Sequence, residues 1–295
     1  MILVNLLGFY DAVPSCFKHA EGTGLTFADW VAPLFLFVLG VLYRQSLVRR
    51  ISADGRRGAY LHVLRRYSLL GLIGLAGGAV SKMRITLDWG VLQSIGLAGI
   101  VALPFVELGS RSRLLVGLAI LAVYQVALPS QVHDVISSAE HGGVLGVVSW
   151  AALILFATVA GDLFSPSDFK SSLKRIGLFG LAMTAGGLFL AIWVPVNKHA
   201  VSPSYVLVTT GLSASVFVGF LGLVDGLGVS VPTWNVLGRN ALLVFLAHYV
   251  LVKSVHAALT EEAGLAWVMC SAALVYVSSY VLALFFHRQR IYFKL

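Results

Sequence analysis

Long apolar runs recur along the chain, broken by short polar stretches. A bilayer-spanning helix needs about 20 mostly apolar residues. Runs of this kind cover Phe27–Arg44, Leu61–Val80, Gly90–Leu108, Leu114–Leu128 and Val144–Leu163, then Ile176–Val194, Tyr205–Leu223, Val236–Val255 and Leu265–Phe286. A tenth run, Met1–Tyr10, is too short to span, because ten residues rise only about 15 Å as a helix. It lacks the basic n-region and small-residue cleavage site of a signal peptide. The pattern predicts an all-α, polytopic transmembrane helix bundle of about ten helical segments with a short first one. Gly71, Gly74, Gly77 and Gly78, within the third segment, are suited to close helix packing.

Composition supports the same class. Of 295 residues, 58% are apolar and 12% charged, against about 25% charged in ordinary soluble domains. A soluble fold of this size leaves about a quarter of its chain surface in water, too much for this sequence. A soluble enzyme, a disordered chain and a small disulfide scaffold are excluded. The formal charge of +8 does not point to nucleic acid, since lysines and arginines also orient membrane proteins. With Met1 on the cytoplasmic side, 16 of the 21 fall in inner loops, Arg44 to Arg66 foremost, and five outside: Lys18, Lys82, Arg84, Lys198 and Lys253. Both termini of this multi-pass protein are expected to be cytoplasmic. The loops are short and no repeat or appended soluble domain is visible. Cys16 and Cys270 are far apart without metal-ligand spacing, so no metal site is expected.

Polar side chains within a membrane segment are costly and mark functional positions by default. Here they gather at the outer ends of the predicted helices. Asn5, Asp11, His19 and Asp29 surround the first outer loop, Arg84, Asp88 and Gln93 the second, Glu140 and His141 the third, and Asn197, Lys198 and His199 the fourth. Each has a plain alternative. His19 can be a solvated or capping histidine, and Asp29, just after Thr26, can compensate a helix dipole. Lys198 can be an interfacial anchor, and Asn5 an interhelical hydrogen-bond donor. His248 lies nine residues past Arg239, about 13 Å deep on a helix starting at the inner face. Asn240, eight residues before it and about 80° away around the same helix, can line one cavity with it.

The stretch Phe17-Lys18-His19-Ala20, followed by Gly24-Leu25-Thr26-Phe27-Ala28-Asp29-Trp30-Val31-Ala32-Pro33-Leu34-Phe35-Leu36-Phe37, resembles the signature of the heparan-α-glucosaminide N-acetyltransferase family, FKHxxxxGLTxADLVFPxFLF. Three further blocks follow in order. Gly90-Val91-Leu92-Gln93-Ser94-Ile95-Gly96 is similar to GVLQRIG. Pro195-Val196-Asn197-Lys198-His199 through Ser204-Tyr205-Val206 is similar to PxNKxxxxxSYV. Leu237-Gly238-Arg239-Asn240-Ala241-Leu242-Leu243-Val244-Phe245 through His248 is similar to GxNxxLVYxxxH. A looser match, Gly142-Gly143-Val144-Leu145-Gly146 with Ala160-Gly161 after it, is similar to EGxLGT and AG. The resemblance covers nearly the whole chain and implies one transmembrane acyltransferase-like domain over residues 1–295.

What the resemblance implies is transfer of an acetyl or other short acyl group from cytoplasmic acetyl-CoA to a sugar amine or hydroxyl on the other side. The partners are then a carbohydrate or glycoconjugate acceptor and membrane lipids, with no nucleic acid; a homodimer is left open. The setting, a bacterial inner membrane, is an expectation that comes with the family resemblance and not from charge. By the motif match His19 is the central catalytic residue and Asn5 the family's asparagine near the first helix, with Asp29 in support. A neutral imidazole can take the acceptor's proton or accept the acyl group itself. The asparagine can orient that ring or donate to an oxyanion. Arg65 and Arg66 are candidates for the CoA phosphates, although positive-inside bias explains inner arginines without a ligand. Gln93, Asn240 and His248 are further donor-binding candidates, and Asn197 and Lys198 candidates for the acceptor. Departures exist: Ser94 replaces the family's arginine, Gly142 its frequent glutamate, and the third outer loop, about Pro129 to Gly143, is short, which points away from heparan sulfate. Family members carry a charged lead before the first helix; this chain begins inside it, so either the true start lies upstream of Met1 or half a span is lost. The competing readings are a transporter or translocator using Asn240, His248 and Lys198 for cargo, and a degenerate, non-catalytic family member.

Overall fold

The computed structural model describes residues 2–20, 22–82, 89–127 and 140–292. Arg84, Asp88, Lys294 and residues 129–139 of the third outer loop lie outside the described residues. Within them ten α-helices run in order: α1 (Ile2–Leu7), α2 (Phe27–Lys82), α3 (Val91–Ala102), α4 (Ser110–Ala127), α5 (Gly143–Asp162), α6 (Phe169–Leu190), α7 (Pro203–Leu221), α8 (Pro232–Arg239), α9 (Ala241–Ala258) and α10 (Leu265–Arg288). The protein is an all-α helical bundle, and seven of its helical stretches are long and apolar enough to cross a membrane. Large apolar side chains such as Leu115, Leu181, Trp193 and Val250 are exposed on it, as a lipid-facing surface requires. This is an integral membrane protein.

Two boundaries differ from the sequence pattern. The arginine-rich stretch after Arg44, expected as a loop, is helical, so the first two predicted spans are the two arms of α2. Its arginines, leucines and alanines are good helix formers, and the break falls at Gly55, with φ 73° and ψ 166°. The run Val236–Val255, expected as one helix, is divided: Asn240, at φ −119° and ψ 32°, separates α8 from α9. Pro232 opens α8 at the helix position where a missing N–H costs nothing. The expectation that Asn240 and His248 share one helix is therefore corrected; Asn240 sits at the junction.

The chain forms two compact units. One comprises residues 1–21, 26–31 and 228–295, in which α1 packs on α9 and α10, and α10 also on α8. The other comprises residues 22–25 and 32–227 and is organised around α5. Apolar on every side, α5 is buried from Trp150 to Gly161, as a helix without a polar face must be. Glycines set the close approaches. A Cβ on Gly161 would lie 2.2 Å from the Val41 carbonyl oxygen, and one on Gly96 2.6 Å from that of Tyr67. These contacts seat the first arm of α2 on α5 and the second on α3.

Candidate active site

His19 and Asp29 come together at the start of α2. His19 Nδ1 lies 2.8 Å from Asp29 Oδ1. The other carboxylate oxygen, Oδ2, accepts from the backbone N–H of Ala20 at 3.1 Å and of Thr26 at 3.2 Å, and lies 2.9 Å from the Thr26 hydroxyl. That hydroxyl is also 2.7 Å from the Lys18 carbonyl oxygen, so its single proton serves one acceptor at a time. Thr26 and Asp29 thus make a capping-box contact, the third-position acid reaching back to the N–H before the helix. One Asp29 oxygen thus serves the helix start and the other contacts His19. Phe17 and Phe27, with ring centroids 5.9 Å apart, pin the loop to the helix start.

The carboxylate fixes the chemistry of the imidazole. An ionised Asp29 only accepts, so Nδ1 carries the proton and the lone pair falls on Nε2. The Asp29 side chain is fully buried while that of His19 is half exposed. The arrangement is a buried anion holding an accessible imidazole in the tautomer of a base or nucleophile.

Asn5, weighed as orienting the His19 ring or donating to an oxyanion, contacts a different histidine. Its Nδ2 lies 2.9 Å from His248 Nε2, and the orienting role belongs to Asp29. This second pair occupies a polar layer in the same unit. On α9, His248 falls one turn from Val244 on one side and from Val252 on the other. On α10, Ser279 likewise falls between Val275 and Ala283. Val252 and Val275 belong to one apolar cluster, Val244 and Ala283 to another, and Ile2 of α1 packs against both. His248, Ser279 and Asn240 are each 0% exposed. Among the described residues, His248 Nδ1, Ser279 Oγ and both amide atoms of Asn240 have no hydrogen-bond partner. Buried polar groups in native proteins are nearly always paired, so these atoms have hydrogen-bond capacity to offer a further polar partner. Tyr10, whose hydroxyl is also buried without a partner, and Ser279 were not legible as site residues, because hydroxyls are routine in membrane helices.

The remaining candidates lie in the larger unit. Arg66 lines a cavity of about 610 Å³ beside the Gly55 break, with Nε buried and unpartnered; Arg65 is exposed and outside that lining. Gln93 is elsewhere. It is buried on α3 against Gly74, whose added Cβ would fall 2.5 Å from Gln93 Oε1, and Gly74 is eight residues, about 12 Å, along the helix from Arg66. Ser94, the residue in place of arginine, accepts from Trp89 Nε1 at 2.9 Å and ties off the start of α3. Asn197 builds a turn: its Oδ1 accepts from the Ala200 N–H at 2.9 Å and its own N–H donates to Ser202 Oγ at 3.0 Å. Ser202 in turn caps α7. Lys198 is carried half-buried on this turn. Gly24 donates to the Val196 carbonyl at 2.8 Å, joining two of the signature blocks. Several other arginines are consumed structurally. Arg44 and Arg113 both pair with Asp162, and Arg56 pairs with Glu107.

The family model of heparan-alpha-glucosaminide N-acetyltransferase, catalytic, matches residues 1–197, two thirds of the chain, and the chain belongs to this family of membrane acyltransferases. It is accordingly a transferase-type membrane enzyme. The matched region contains Asn5, His19, Asp29, Arg65, Arg66, Gln93 and Asn197, and ends before Lys198, Asn240 and His248. No curated protein matches the chain.

Proposed function

We propose that the protein moves an acetyl or other short acyl group from cytoplasmic acyl-CoA to a sugar amine or hydroxyl on the opposite side of the membrane, with His19 as the reacting residue. The observation that carries this is the division of labour at Asp29, one oxygen capping α2 and the other fixing the His19 tautomer. The acceptor nitrogen or oxygen attacks the thioester carbonyl and its proton passes to Nε2. Collapse of the tetrahedral intermediate breaks the C–S bond, and the proton leaves with the CoA thiolate. If His19 is instead the nucleophile, Nε2 bonds to the acyl carbon, CoA thiolate departs, and the acceptor attacks the acyl-imidazole. Both routes use the same atom. The polar layer of Asn5, His248 and Ser279, with Asn240 at its edge, supplies hydrogen-bond capacity for the acyl end of the donor and its oxyanion. Asn197 and Lys198 meet the acceptor. Positive-inside topology then puts both termini in the cytoplasm, and the bacterial inner membrane is the setting.

The test is acetyl transfer from radiolabelled acetyl-CoA to glucosamine in proteoliposomes. His19→Ala is expected to reduce transfer to background at unchanged expression and thermal stability; retained turnover overturns the assignment. A transporter would show no saturable CoA site, so failure of the wild-type protein to bind acetyl-CoA in detergent would transfer the case to that reading.

A further inference from the structure

The cavity beside Gly55 is lined along one face of the first arm of α2 by a stripe that changes character with depth. Val38 and Leu42 come first, then Gln45 and Ser46, then Arg49 and Arg50. From Val38 to Arg50 the helix rises about 18 Å. The apolar end opens outward: Val38 is 46% and Leu42 59% exposed. At the basic end Arg50 is neutralised by Asp54 at 3.1 Å. Arg49 and Arg66 have no acidic partner among the described residues, and Arg66 Nε is buried without any hydrogen bond, its guanidinium over the Tyr67 ring. Two uncompensated guanidiniums therefore sit at the head of a groove whose far wall faces lipid.

We infer that this cavity holds one anionic phospholipid of the adjacent leaflet. Its phosphodiester would lie between Arg49 and Arg66 and an acyl chain along Val38 and Leu42. Basic pockets between membrane helices at the arginine-rich face recognise such headgroups, and planar guanidinium forks match phosphate oxygens. Free inorganic phosphate would have no use for the exposed apolar wall. The side chains that cradle the headgroup come from both arms of α2, so the lipid bridges the two arms at the point where Gly55 interrupts the helix.

The experiment uses the full chain in mild detergent, titrated separately with fluorescent phosphatidylglycerol and fluorescent phosphatidylcholine. Saturable binding that prefers phosphatidylglycerol is expected. R49Q/R66Q should weaken phosphatidylglycerol by roughly 30-fold and leave phosphatidylcholine unchanged. The exposed pair K170Q/K174Q should have no effect. Leu42→Glu, which leaves the arginines in place, should also weaken phosphatidylglycerol, and it serves as the test if the arginine variant does not fold. Equal binding of the two lipids overturns the inference, as does wild-type affinity in R49Q/R66Q or Leu42→Glu. Displacement of phosphatidylglycerol by acetyl-CoA or inorganic phosphate also overturns it and assigns the arginines to a soluble phosphate.

Discussion

Replacing Asp29 by asparagine removes one acceptor from a side chain that uses both oxygens. An asparagine has one carbonyl oxygen and one NH₂ group, so two orientations compete. With the NH₂ towards the helix start, the Ala20 and Thr26 N–H groups, at 3.1 and 3.2 Å from the present Oδ2, face another donor. Each unsatisfied buried donor costs about 1–3 kcal/mol, about 2–6 kcal/mol for the two, and the backbone cannot turn them away. With the carbonyl towards the helix start those bonds survive, and the NH₂ points at His19 Nδ1, 2.8 Å from the present Oδ1. The imidazole responds inexpensively by moving its proton to Nε2. The second orientation wins, and the lone pair is lost from the reacting atom. General acid–base catalysis contributes about 10²–10⁴-fold, or about 2.7–5.4 kcal/mol of barrier. Asp29→Asn is expected to lower kcat by that factor with KM for acetyl-CoA unchanged and Tm nearly retained. The measurement is steady-state acetyl transfer in proteoliposomes alongside thermal unfolding in detergent. His19→Ala combined with Asp29→Asn should lose no more than His19→Ala alone, since both remove one function. A folded Asp29→Asn enzyme within about fivefold of wild-type kcat would refute the tautomer mechanism.

Three further outcomes follow from the buried geometry. Asn240→Leu removes an amide whose two polar atoms are buried and unpartnered among the described residues, and should raise stability by about 1–3 kcal/mol, read as a higher Tm, while raising KM for acetyl-CoA. A double-mutant cycle of Asn5→Ala and His248→Ala should give a coupling energy of about 0.6 kcal/mol and no more than about 1.7, measured by unfolding in detergent; zero coupling would show that the 2.9 Å contact carries no stability. Gly142→Glu, which restores the family's frequent residue, should lower Tm. Gly142 has φ +77° and its added Cβ would lie 2.6 Å from Val201 Cγ2, so the left-handed backbone alone costs about 1–2 kcal/mol before Val201 is displaced.

The Gly142 and Ser94 departures show how a family pattern is read better with the fold in hand. Both stood out in the linear sequence as departures from the family pattern. In the structure Val201 fills the space beside Gly142, and Ser94 takes the Trp89 indole N–H, so each substitution has local packing built around it. Asp29 was legible as a helix-start acid because Thr26 precedes it by three residues, a local spacing. Its contact with His19 was suggested by the family signature and not by local spacing, since Oδ1 reaches across a ten-residue separation.

The sequence by itself determined the class: apolar runs of spanning length leave no soluble alternative, and a helix is the one open-chain element that pairs its own backbone in lipid. It also exposed the signature around His19, because those residues are contiguous. Only the tertiary structure decided which polar groups meet. Asn5 and His248 are 243 positions apart, and no hydropathy pattern records a pairing made across helices. The same holds for the two breaks. Whether a polar stretch such as Arg44 to Gly55 leaves the helix or continues it depends on backbone angles and on what packs beside it, and hydrophobicity along the chain carries neither.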